Sequence, residues 1–224
     1  MGKKVLVVSV HPDDETLGAG GTLLMHKDKG DDVHELLITS CWSPMHSQER
    51  IDRQIALVNK MKESYGLTLH WIKIPTTKTD ELLTGSLVEK IGKVFRDVSP
   101  EIVYLPFGGD THHDHMRVFQ ASWNCTKIFR YPSVKKIYAM EVLSETDYAS
   151  NIQSQPFIPN TFIDITKYMQ KKIEILSIFK SELGEHPFPR SIDNVIAQGT
   201  LYGSRANCRY AEAFMLLKEV QSPQ

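Results

Sequence analysis

Val5-Leu6-Val7-Val8-Ser9-Val10, followed without a break by His11-Pro12-Asp13-Asp14-Glu15, decides the fold. The first six residues are nearly all apolar and mostly β-branched, the composition of a strand buried on both faces. Pro12 has no N–H for the ladder, so the strand ends there. An imidazole and two adjacent carboxylates are left at its carboxyl end, the edge of an open α/β sheet where ligands bind. Thr16 to Met25 has the small residues and apolar spacing of a helix packed close to the sheet. Glu15, and Asp14 if the helix starts early, would occupy its first turn, where negative charge suits the helix dipole.

Alone, His-Pro-Asp-Asp is equally well explained as a strand-to-helix turn with capping acids. A second cluster tips the balance. Glu101 to Pro106 is again strand-like, and Phe107-Gly108-Gly109-Asp110 leads into Thr111-His112-His113-Asp114-His115. Both polar clusters follow strands, so both can converge on one rim of a parallel sheet.

The rest of the chain supplies that sheet. Strands are expected at 33–39, 67–74, 101–105 and 136–143, and helices at 48–65, 86–98 and 114–130, from apolar residues at alternating or helical spacing. Gly66 closes the second helix as a C-terminal glycine. This alternation of strand and helix predicts an α/β fold with a doubly wound, mainly parallel sheet and right-handed crossovers. After residue 143 the pattern loosens: a proline-bearing segment to 160, a strand at 162–165, helices at 167–179 and 192–204, and an extended element at 209–217. The expectation is one domain over 1–224, with a core at 1–143 and a C-terminal cap at 144–224.

Bulk composition narrows the function. A chain of 224 residues with 41% hydrophobic and 24% charged residues can bury one full core. With 26 basic and 27 acidic residues, net charge gives no steering toward nucleic acid or a membrane surface. Three widely spaced cysteines without a Cys-x-x-Cys argue against a thiolate metal site and for a reduced, cytoplasmic setting. The apolar run after Lys4 is too short for a signal peptide or a spanning helix. Gly18-Ala19-Gly20-Gly21 suggests a dinucleotide fingerprint, but Leu23 stands where its third glycine belongs and acids stand where a pyrophosphate would lie.

Two imidazoles and one carboxylate from the two clusters, with further positions open, describe a catalytic rather than a structural zinc site. Without thiolates, iron or cobalt would also suit it. A bound ion would lower the pKa of its water toward about 7 and polarise a carbonyl. A carboxylate next to a ligand, but not itself one, could serve as general base. These parts make a metal-assisted hydrolase of an amide or ester.

His11-Pro12-Asp13-Asp14-Glu15 after an N-terminal strand, with His112-x-Asp114-His115 after a later one, resembles the PIG-L/LmbE-like zinc deacetylases. Ser181-Glu182, Pro189-Arg190-Ser191, Gly203-Ser204-Arg205 and Tyr210-Ala211-Glu212-Ala213-Phe214 resemble that family's looser C-terminal signature. The resemblance implies a Rossmann-like three-layer fold and removal of N-acetyl groups from N-acetylglucosamine-type sugars. It implies His11, Asp14 and His115 as ligands to Zn2+, with Fe2+ or Co2+ as other candidates. It implies Asp13 as general base, His112 as oxyanion stabiliser or acid, and Asp114 as its modulator. His113, where the family often has proline, is the departure.

Arg53 in the second helix is the nearest match to a substrate-binding arginine, with Arg50 as competitor. Trp42 and His46, on a loop that ends at the same rim, are candidate sugar-facing residues. Arg190 and Arg205 suit either an anionic leaving group or ordinary ion pairs. His26, His34, His70 and His186 have no partner at ligand spacing and read as structural. The expected partner is a small amino-sugar substrate, with no nucleic acid and no membrane; a homo-oligomer is left open. An amidase for another acyl or thiol-conjugate amide, and a non-catalytic metal- or sugar-binding module, are the competing functions.

Overall fold

The computed structural model describes residues 2–149 and 156–221. The quoted stretch forms β1 (Lys4–Ser9), and four residues separate it from α1 (Asp14–Asp28). The chain continues through β2 (Asp32–Ser40), α2 (Gln48–Tyr65), β3 (Thr68–Pro75), a 3-10 turn (Thr79–Glu81), α3 (Thr84–Val98), β4 (Ile102–Pro106), α4 (His113–Asn124) and β5 (Lys136–Met140). Then come β6 (Thr161–Asp164), α5 (Met169–Leu176), a second 3-10 segment (Ser177–Glu182), α6 (Ile192–Ala206) and β7 (Ala211–Glu219).

Seven strands form one sheet in the order β3-β2-β1-β4-β5-β7-β6. The first five are parallel, and β7 pairs antiparallel with both β5 and β6. This is the mainly parallel α/β sheet expected. The segment read as a C-terminal cap thus contributes two strands to the sheet and places α5 beside α1. Residues 150–155 of the loose segment lie outside the described residues.

Alternation along β1 divides the core. Val5 and Val7 pack with Leu17 and Leu23 of α1, Met61 of α2 and Ile175 of α5. Leu6, Val8 and Val10 face the other layer, with Ile91 and Phe95 of α3 and Val118 of α4. Five of the six residues of β1 are buried, as burial on both faces requires. Helices end where the sequence supplies caps. The Ser47 hydroxyl accepts from the Arg50 N–H, and Gly66, at φ 64°, closes α2 through bonds to Lys62 and Glu63. Two helices are shorter than their apolar patterns: α4 stops at Asn124 rather than Arg130, and α5 passes into 3-10 geometry after Leu176.

The glycines of α1 have a packing role. A Cβ on Gly18 would lie 2.9 Å from Met140 Sδ, and one on Gly21 would lie 2.7 Å from Ile165 Cβ. They let α1 approach the sheet and its C-terminal neighbours, a need that a dinucleotide fingerprint would also have shown. β1 lies between β2, reached through α1, and β4, which comes only after α2, β3 and α3. The chain reverses direction across the sheet there, so the crevice beyond β1 and β4 is its natural ligand site.

Candidate metal centre and cavity

The loop after β1 is tightly tied. Asp14 Oδ2 accepts from the N–H groups of Val10 and His11, both at 2.9 Å. Asp13 adopts φ 109°, a left-handed conformation costly for a side chain with a Cβ, of order 1–3 kcal/mol. That turn leaves the two consecutive carboxylates with different neighbours. Asp14 joins His115, whose Nε2 lies 3.4 Å from Asp14 Oδ2, while Asp13 Oδ2 meets Arg190 Nη1 at 3.4 Å.

The loop after β4 supplies the other half. His115 is fully buried; its Nδ1 bonds Asp110 Oδ2 at 2.8 Å and its Nε2 lies 3.3 Å from His11 Nδ1. His11, Asp14 and His115 each present one donor atom, all within 4.8 Å of one another. The set of two nitrogens and one carboxylate oxygen suits zinc with open positions. Asp110 behind His115 is the carboxylate partner that metal-ligating histidines ordinarily have. His11, Asp14 and His115 are therefore brought together as a candidate metal site.

A second trio, His11, His112 and Asp114, meets the same distance limit. It fits less well. His112 Nδ1 accepts from the Asp114 N–H at 3.1 Å, and the Asp114 carboxylate accepts from Thr77 N and from the Thr79 N–H and hydroxyl. The Asp114 side chain thus faces the 77–79 turn, with Oδ2 3.4 Å from His11 Nε2. Asp114 meets His112 through its backbone N–H, while its carboxylate faces the His11 ring.

Electrostatics separate these groups. Burial, reinforced by the Asp14 charge, pushes the Asp13 carboxyl well above its ordinary value, with Arg190 pulling it back. Burial would lower His115, but the Asp14 and Asp110 carboxylates outweigh it and bring the imidazole to about 9. Burial and the neighbouring His11 and His115 rings push His112 down to about 4, so it is neutral at pH 7. Burial opposes ionisation of Asp114, but bonds from His11, Thr79 and Thr77 prevail and hold it well below the carboxylate range.

A cavity of about 560 Å³ opens over this floor, a volume suited to a small ligand. Its wall includes Asp13, His112, His46, Arg53, Glu145 and Arg190. Arg50 lines it as well, so the two competing arginines both reach the cavity. Trp42 does not line it. Its indole N–H donates to Thr76 O at 3.3 Å, beside the cavity rather than in it. His113 is partly exposed, with Nε2 3.8 Å from Asp80. Arg205 stacks on Phe162, away from the cavity.

Residues 6–126 match the PIG-L family, described as GlcNAc-PI de-N-acetylase, and that span is more than half of the chain. The chain belongs to the PIG-L family. Diacetylchitobiose deacetylase of Thermococcus kodakarensis is 27% identical to this PIG-L protein over 229 positions, covering 94% of this chain and 81% of the relative. The crystal structure of N,N'-diacetylchitobiose deacetylase from Pyrococcus horikoshii matches with a TM-score of 0.76 at 20% identity, over 96% of this chain and 84% of that one. GalB, the 4-carboxy-2-hydroxymuconate hydratase of Pseudomonas putida, matches with a TM-score of 0.73 at 19% identity, over 99% of both chains. Deacetylases and a hydratase thus share this fold, so the fold alone does not choose the reaction.

Among the described residues no helix is long and apolar enough to cross a membrane. Several site residues carried no mark in the sequence. Asp110 lies five residues before His115, in the loop that leads into α4, and its bond to Thr146 at 2.6 Å depends on tertiary folding. Arg190 forms the ion pair that was one of its two readings. His34 and His70, read as isolated, pair across β2 and β3 at 3.1 Å, a contact that strand register creates and spacing hides.

Proposed function

We propose that this PIG-L protein is a zinc-dependent deacetylase that removes the N-acetyl group from an N-acetylated amino sugar or its glycoside or nucleotide conjugate. The carrying observation is Asp13, a buried carboxylate on the cavity wall beside the ligand Asp14 yet outside the metal trio. A protein that only stores metal or binds sugar has no need of a base there. The relative named for diacetylchitobiose deacetylation supports the acetylated amino sugar as substrate class.

His11, Asp14 and His115 would hold the ion, which when bound would polarise the substrate carbonyl and acidify water. Asp13 takes the proton of the attacking water and returns it to the departing amine nitrogen. Its raised proton affinity makes it a stronger base than an ordinary aspartate. Because His112 Nδ1 accepts from the Asp114 N–H, its ring proton is assigned to Nε2. The neutral ring donates that Nε2–H to the oxyanion that develops on the carbonyl oxygen. Asp114 fixes this tautomer through its backbone and orients His11 through its carboxylate. Arg53 and His46 hold the sugar from the wall, and Trp42 supports the same loop. Three free cysteines agree with a cytoplasmic protein.

Acetate release from zinc-loaded protein tests this reading. The panel holds N-acetylglucosamine, its glycosides, nucleotide-linked forms and thiol conjugates, with Asp13→Asn as blank. Release from one class, absent in the variant, is expected. Metal binding with no acetate released from any member would overturn the deacetylase assignment in favour of another amide or a binding module.

A further inference from the structure

We infer that Thr146 is a positioning residue for the metal ligand His115, acting through Asp110, and that it joins the cavity-wall segment 141–149 to the metal centre. The inference rests on the reading of His115 as a metal ligand. Its geometry is a continuous chain of short bonds. The Thr146 hydroxyl donates to Asp110 Oδ1 at 2.6 Å, and Asp110 Oδ2 bonds His115 Nδ1 at 2.8 Å. The Val142 N–H donates to the same hydroxyl at 3.0 Å. With one N–H bond accepted, the hydroxyl proton is directed to Asp110, so the donor order along the chain is fixed. Asp110 and His115 are fully buried and Thr146 nearly so, which keeps bulk solvent from competing for these bonds.

Each link removes a freedom. His115 could present either ring nitrogen to an ion; Asp110 on Nδ1 leaves Nε2 for that task. The Asp110 carboxyl could rotate away from the ring; Thr146 on its other oxygen prevents that. A further bond, Thr111 N to Glu145 O at 3.1 Å, ties the same two segments through their backbones. Glu145, next to Thr146, lines the cavity. A substrate pressing on this wall therefore acts on the element that aims the metal ligand. Thr146 touches neither metal nor substrate in this role.

Thr146→Val, Thr146→Ser and Asp110→Asn, made in the full chain, test the inference by Zn2+ affinity measured in competition with a chromophoric chelator. Thr146→Val and Asp110→Asn are each expected to weaken zinc by about 10- to 100-fold, the range for lost partners of metal ligands. Thr146→Ser, which keeps the hydroxyl, is expected within about twofold of the parent, on the same ground. Wild-type zinc affinity in Thr146→Val would overturn the inference, and so would equal losses in Val and Ser. The metal-free chain gives a second readout, the proton on His115 Nδ1 in histidine-labelled NMR spectra. Thr146→Val should shift it and speed its exchange, while Thr146→Ser should not. An unmoved resonance overturns the inference even if the parent binds no zinc, an outcome that would separately sink the metal reading.

Discussion

The floor and the wall of the cavity are built differently. On the floor, Asp14 accepts two backbone N–H bonds and His115 is held on Nδ1 by Asp110, with both residues buried. On the wall, Arg50 and Arg53 are exposed and form no ion pair within 4.0 Å among the described residues. Groups that must hold one geometry are over-determined by their neighbours, which is what catalytic preorganisation needs. Groups that await a ligand keep their hydrogen-bonding capacity free. Asp13 and Arg190 stand between the two, paired with each other at 3.4 Å and both on the cavity surface.

The largest break in this comparison is His115→Ala. It removes a proposed metal ligand and takes from the buried Asp110 its bond to His115, so both metal affinity and turnover should be lost. Metal analysis after dialysis checks it, and tight metal in the variant would move the ligand role to His112 or His113. Asp13→Asn should sharpen the comparison instead. The candidate metal trio is untouched, so zinc should stay, while turnover should fall by about two to four orders of magnitude if Asp13 is the base. Near-normal turnover with normal metal content would remove Asp13 from the reaction.

The floor also predicts a pH dependence that the wall does not. Asp14 and Asp110 overcome burial and hold the metal-free His115 ring protonated up to about pH 9. An ion at Nε2 must displace that proton. Apparent zinc affinity should therefore rise about tenfold per pH unit toward pH 9 and flatten above it. The metal-free chain behaves conversely. A histidine raised above its unfolded value of about 6.5 stabilises the fold fully below that value and loses the contribution as pH rises through 9. Chelator competition and thermal melts carried from below pH 7 to above pH 9 test both, and a pH-independent affinity would mean that His115 is not protonated in the free site.

How much of this was legible in the chain follows from the range of each interaction. β1, the Gly66 cap and the two ends of the crevice are local: the β-branched run, the proline and the glycine each act within a few residues. That His11, Asp14 and His115 could converge was readable because two clusters each followed a strand, and parallel strands point one way. Thr146, Arg190 and the pairing of His34 with His70 were not readable as partners. Their contacts span 36, 177 and 36 residues, and nothing in local periodicity encodes those distances. The antiparallel β7 was hidden for a similar reason, since an extended run carries no sign of its direction.

The smallest expected effect distinguishes the two wall arginines. Arg50 and Arg53 lie three residues apart on α2, so both project on one side of the helix and both reach the cavity. Arg50 sits in the first turn beside the Ser47 cap, nearer the helix end, while Arg53 lies one turn deeper. If Arg53 holds the sugar, Arg53→Ala should raise KM by about tenfold, equivalent to about 1.4 kcal/mol, with kcat little changed. Arg50→Ala should then change KM by less than about twofold, as an exposed side chain that does not touch the sugar should. The reverse pattern would assign the sugar contact to Arg50. A fall in kcat without change in KM, for either variant, would instead mean that the wall takes part in the transition state and that the division between floor and wall is wrong.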